Sequence, residues 1–135
     1  LLLMSTLQDK PPELTNIALQ RARMAESLAR VFGQSQPELY FLVGLFSVLD
    51  ALMDQPMDVL VSELNLTPAI AAALLKQEGL PGMILNTIQA YEKGDWKTVM
   101  SLNLPVETLT KIYLDSIKWT NILAEEIHHA DTLEL

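Results

Sequence analysis

The sequence predicts an all-α fold, and three observations carry that prediction. Apolar residues recur at helical spacing in successive segments, proline and glycine punctuate the joins, and no alternating run bounded by hairpin turns occurs. At 135 residues the chain is long enough for one domain with a real core and too short for two ordinary ones. A single compact, multi-helix domain spanning residues 1–135 is therefore expected.

The elements follow in order. Leu1, Leu2, Leu3, Met4 and Leu7 form an apolar run with no N-cap ahead of it. Over residues 1–8 this reads as the end of a helix severed from a longer protein, a processed start being the plainer alternative. Pro11 and Pro12 precede Glu13, apolar positions then recur from Leu14 to Val31, and Gly33 supplies a stop, so a helix is predicted over residues 13–32. Ser35 or Gln36 ahead of Pro37 starts the next. Leu39 to Met53 is apolar on nearly every side, which predicts one continuous, central and most buried helix. Pro56 opens a short helix over residues 56–63. Thr67 before Pro68 is an N-cap and N1 proline pair leading to Gln77, with Gly79 as the stop. A helix from Pro81 to Lys93 ends at Gly94, and Asp95 caps a short segment carrying Trp96. Pro105 begins the last long helix, to about His129. Its apolar positions Leu109, Ile112, Tyr113, Ile117, Leu123 and Ile127 fit one face only with a shift near Trp119. The periods are too irregular for a coiled coil, and no internal repeat is present.

Composition narrows function. Half of the residues are apolar, mean hydropathy is +0.22, and 19% are charged against about a quarter in ordinary soluble domains, so part of the surface is expected to need a neighbour. Seventeen acidic against nine basic residues give a net charge of −8, which opposes phosphate backbones. Arg21, Arg23 and Arg30 share a helix, but Arg21 and Arg23 are two apart and face different ways, so no direct nucleic-acid contact is expected. The longest apolar stretch, Leu39 to Leu49, is shorter than the roughly 18 residues of a spanning helix, and no signal peptide is visible. The expectation is a cytoplasmic protein without membrane contact. No cysteine is present, which excludes disulfides, thiolate nucleophiles and Cys-based metal sites.

The search for chemistry returns few groups. The only histidines are His128 and His129. Glu125 or Glu126 with His129 could put a carboxylate and an imidazole on one face, but two ligands do not close a metal site, and a solvated helix end explains them. The glycines are scattered singly, and neither a P-loop, a dinucleotide fingerprint nor a nucleophile elbow occurs. Trp96 and Trp119 are candidates for ligand or partner contact, with packing between helices as the alternative. Asp50, in the most apolar stretch, is either a functional acid with a raised pKa or a group that caps a neighbouring helix or faces a polar edge.

Three segments carry a resemblance. Ala18 to Glu26 (ALQRARMAE), Phe41 to Leu52 (FLVGLFSVLDAL) and Ala90 to Trp96 (AYEKGDW) together resemble the HDOD (HD-related output) domain, closest to those attached to EAL domains in bacterial signalling proteins. GLFSVLDAL is the most specific piece. The resemblance runs from about Leu1 to the stretch from Tyr113 to Trp119 and implies an HD-like helical fold lacking its N-terminal helices. In HD phosphohydrolases the corresponding helix resembles GLLHDIG, whose adjacent His and Asp bind the metal that activates water. Here Ser47 and Val48 stand at those positions, and a hydroxyl and an isopropyl group cannot replace those ligands. Nor does the stretch over residues 13–32 hold the histidine such enzymes carry there. The resemblance thus implies a non-catalytic output or adaptor role with no catalytic residue, metal or cofactor. The implied partner is a docked protein or a linked EAL-type domain, cyclic di-GMP being that domain's ligand. An apolar N-terminal patch would also support a homodimer. Two alternatives stand beside it: a metal-dependent phosphohydrolase using Asp50, Glu125 and His129, and a small-ligand sensor with a pocket between the helices bearing Ser47 and Trp96.

Overall fold

The computed structural model describes the backbone of residues 12–134 and the side chains of residues 12–127 and 129. The expected helix end over residues 1–8, and the dimer patch built on it, lie outside these. The order is α1 (Pro12–Val31), α2 (Pro37–Phe46), α3 (Leu49–Met53), α4 (Met57–Glu63), α5 (Pro68–Lys76), α6 (Gly79–Lys93), α7 (Trp96–Met100) and α8 (Val106–Glu134). No strand occurs among the described residues, so the all-α expectation holds.

Helix α1 is the hub, against which α2, α6 and α8 all pack. Ala18, Ala22, Ala25 and Ala29 recur at spacings of four, three and four and are all buried, so neighbouring helices approach closely along this stripe. Glu13 in the first turn and Arg30 in the last complement the helix dipole. Gly33, at φ 69°, ends the helix: its N–H donates to the Arg30 carbonyl, and the Gln34 N–H donates to Ala29 O at 2.9 Å. The principal core joins Met24 and Leu28 of α1 to Ile84 and Ile88 of α6 and Leu109 and Ile112 of α8. Full burial of each such aliphatic side chain contributes about 1.5–3 kcal/mol.

The predicted helix from Leu39 to Met53 is corrected in two respects. It is broken, α2 ending at Phe46 and α3 starting at Leu49. The Ser47 hydroxyl donates to the Gly44 carbonyl at 2.7 Å, and the Ser47 N–H turns to the same oxygen at 3.3 Å. A serine side chain competing for a backbone carbonyl is a recognised way to end a helix. Nor is this stretch covered on every side, since Leu42 is exposed and Phe41, Leu45 and Phe46 are only partly covered. The small side chains of α1, which hydrophobicity undervalues, take the central place.

Smaller corrections have similar causes. Helix α5 ends at Lys76, where Gln77 caps it in the left-handed conformation at φ 53°, and Gly79 opens α6 two residues before Pro81. Thr67 occupies the N-cap position of α5 without making a side-chain capping bond. Helix α8 needs no shift near Trp119. Its buried face is Leu109, Ile112, Ser116 and Thr120, at even helical spacing, with two polar residues continuing the line.

Candidate functional site

The three segments that carry the resemblance meet at one guanidinium. Arg21, on α1, donates from Nε to Glu92 Oε2 at 2.9 Å and from Nη2 to Glu92 Oε1 at 2.8 Å, a paired fork across the α1–α6 contact. Its third nitrogen, Nη1, donates to Ser47 Oγ at 3.1 Å, at the break between α2 and α3. Arg21 comes from the first segment, Ser47 from the second and Glu92 from the third.

The local sequence places each group. Ser47 follows Gly44 by three residues, and Gly44 lets α2 lie directly on the α1 backbone at Arg21 and Ala22. Glu92 sits in the last turn of α6, before Gly94 reverses the chain at φ 74°. The Arg21 side chain is 15% exposed and that of Glu92 33%, so the pair is partly withdrawn from water, and its charges cancel.

The chemistry open to this cluster is narrow. The Ser47 hydroxyl gives its proton to a carbonyl and accepts from a guanidinium, neither of which acts as a base, so Ser47 is not set up as a nucleophile. Arg21 Nη1 donates to Ser47 Oγ at 3.1 Å, so the hydroxyl's acceptor side faces a donor rather than lying open to a cation. Val48 points into a small apolar cluster with Ala18 and Leu52 and is 6% exposed.

The other sequence candidates lie apart from this cluster. Asp50 is exposed in the first turn of α3, its carboxylate accepting from the Ala51 N–H at 2.9 Å. Trp119 packs edge-on to Phe41, centroids 6.1 Å apart, and the Arg23 guanidinium lies 5.4 Å from its ring centre. Arg23 also pairs with Asp115 at 2.9 Å, so Trp119 sits where α8 crosses α1 and α2. Trp96 is 56% exposed, edge-on to Tyr91 at 5.4 Å, and borders a groove of about 270 Å³ with Val99, Met100 and Leu104. Ser47 is not among the residues lining that groove. Glu125 and His129 are exposed. Among the described residues no three His, Asp or Glu side chains gather where they could hold a metal ion.

Two curated proteins are similar to this chain. Over 116 residues it is 34% identical to the cyclic di-GMP phosphodiesterase CdgJ of Vibrio cholerae, covering 82% of this chain and 27% of that protein. Over 115 residues it is 31% identical to the uncharacterized protein YuxH of Bacillus subtilis, covering 84% of this chain and 28% of that protein. The chain thus spans about a quarter of the length of these relatives. No family model matches it, and no solved structure matches it significantly.

Sequence reasoning set Arg21 aside as one of three non-aligned arginines and did not single out Glu92. The two are 71 residues apart, and no local pattern ties them. The available signal was that both lie inside the segments that carry the resemblance.

Proposed function

We propose that the chain is a non-catalytic helical output or adaptor unit of the HDOD type, part of a longer cyclic di-GMP signalling protein, acting through protein contacts. One observation carries this: Ser47, which the resemblance places where HD phosphohydrolases hold a metal ligand, accepts from Arg21, and Arg21 is in turn paired with Glu92. A permanent cation joined to a carboxylate gives a structural lock between α1, α2 and α6 rather than a place for a metal-bound water. The relative named a cyclic di-GMP phosphodiesterase supports the signalling context. Because the chain covers only 27% of it, we assign that activity to other parts of such proteins, with an EAL-type domain as the neighbour.

The test is an assay of the purified chain with cyclic di-GMP and with phosphomonoesters, in the presence of magnesium or manganese, with metal content measured beforehand. The expected result is no turnover and no stoichiometric metal. Turnover abolished by chelation, or one tightly held metal per chain, overturns the proposal.

A further inference from the structure

The charges of this chain are unevenly placed. Between Val31 and Leu75 there are five acidic residues, Glu38, Asp50, Asp54, Asp58 and Glu63, and no Lys, Arg or His, so this third of the sequence carries −5 of the net −8. The same stretch builds an apolar groove of about 440 Å³ where α2, α3 and α4 meet, lined by Phe46, Leu49, Met53, Leu60 and Leu64, with Glu63 on its wall. Leu64 is 49% exposed at its edge, and Asp50 and Asp58 are exposed on the two helices flanking it. The carboxylates of Asp50 and Asp58 accept only from the N–H groups of Ala51 and Val59, and neither they nor Glu63 has an ion-pair partner among the described residues.

We propose that this groove docks a basic amphipathic helix of a partner protein. The proposal rests on reading the chain as a protein-interaction unit and names the chemistry of its partner. The volume lies within the range of about 300–1,000 Å³ typical of binding clefts, but Glu63 is the one polar side chain on the wall, too few to orient a small molecule. No strand edge exists among the described residues to template an extended peptide, which leaves a helix laying an apolar face into the groove. Acidic residues on the flanking helices select lysine and arginine on that helix's polar face and repel anionic lipid, nucleic acid and the equally acidic face of a second copy.

The experiment titrates the whole 135-residue chain with two labelled, designed peptides of about 18 residues, five helical turns. They share one leucine face and differ only in carrying Lys and Arg, or Glu, on the other. The basic peptide is expected to bind, with affinity falling at least about tenfold between low and high salt, and the acidic one to bind at least about tenfold more weakly. The exposed changes Leu64→Gln, and Asp58→Lys with Glu63→Lys, should each weaken the basic peptide about tenfold while leaving the helical circular dichroism unchanged. Equal binding of both peptides, indifference to these variants, or no binding of the basic peptide at about 1 mM overturns the proposal. Self-association relieved by Leu64→Gln without peptide binding also overturns it and makes the face an interface between copies. Failure here leaves the adaptor reading standing, because that reading falls only on turnover or bound metal.

Discussion

Gly44 presses its Cα against the α1 backbone so closely that a Cβ there would stand 2.5 Å from Arg21 O and 2.6 Å from Ala22 N. Both obstacles are main chain and cannot swing aside. Gly44→Ala is therefore expected to force α1 and α2 apart and lower stability by about 1–3 kcal/mol, and Gly44→Leu by more. Urea unfolding measures this. Gly33→Ala is the control: nothing lies within 4 Å of its Cβ position, so it suffers only the left-handed φ of 69°, about 1 kcal/mol. A Gly44→Ala protein as stable as the parent would show that the helices separate at no cost.

Arg21 and Glu92 form the one paired fork in the cluster, and their coupling is measurable. A double-mutant cycle with Arg21→Ala and Glu92→Ala is expected to give an interaction of about 1–2 kcal/mol, decreasing with salt. Arg21→Lys should recover little, since an ammonium cannot make two parallel bonds and also reach Ser47. Additive single mutations would mean the fork contributes nothing to holding α1 on α6.

Asp95 gives a pH signature. The hydroxyl of Thr98, donating at 2.6 Å, and then its N–H, at 3.3 Å, hold the carboxyl below its ordinary value of 3.8. A carboxyl lowered on folding adds stability above its unfolded pKa and loses it as pH falls through the folded value. Asp95→Ala should lower the melting temperature at neutral pH, the gap to the parent closing as pH drops below about 4. A gap independent of pH would assign the effect to something other than the ionised cap.

Thr120 is fully buried, and its hydroxyl has no hydrogen-bond partner among the described residues. A buried unsatisfied polar atom costs free energy that an isosteric methyl does not. Thr120→Val is expected to raise stability by about 1 kcal/mol, read from denaturant midpoints. A loss would reveal a partner for the hydroxyl in solution.

The parts of the fold that were legible in the sequence are those set by local chemistry. Pro12 and Gly33 bound α1, and Gly94 followed by Asp95 ends α6 and caps α7, because proline geometry, positive φ and capping act within a few residues. Legibility failed where hydrophobicity was asked to report packing. The break at Ser47 turns on one hydroxyl choosing a carbonyl, and the run from Leu39 to Met53 is apolar whether or not it breaks. Ser116 and Thr120 are buried because α8 lies on the slender α1, which a count of apolar residues cannot show. In the candidate site, the segments that carry the resemblance pointed to Ser47 and Val48. The Arg21–Glu92 pair was invisible because only the folded chain closes a separation of 71 residues.

Gly44 seats α2 on the main chain of Arg21, and the side chain of that same residue reaches Ser47 and Glu92. Two helices keyed at one point by both backbone and side chain cannot slide past each other in small steps. A load on α1 is therefore expected to reach the α2–α3 joint, whose flanking residues Phe46 and Leu49 line the apolar groove.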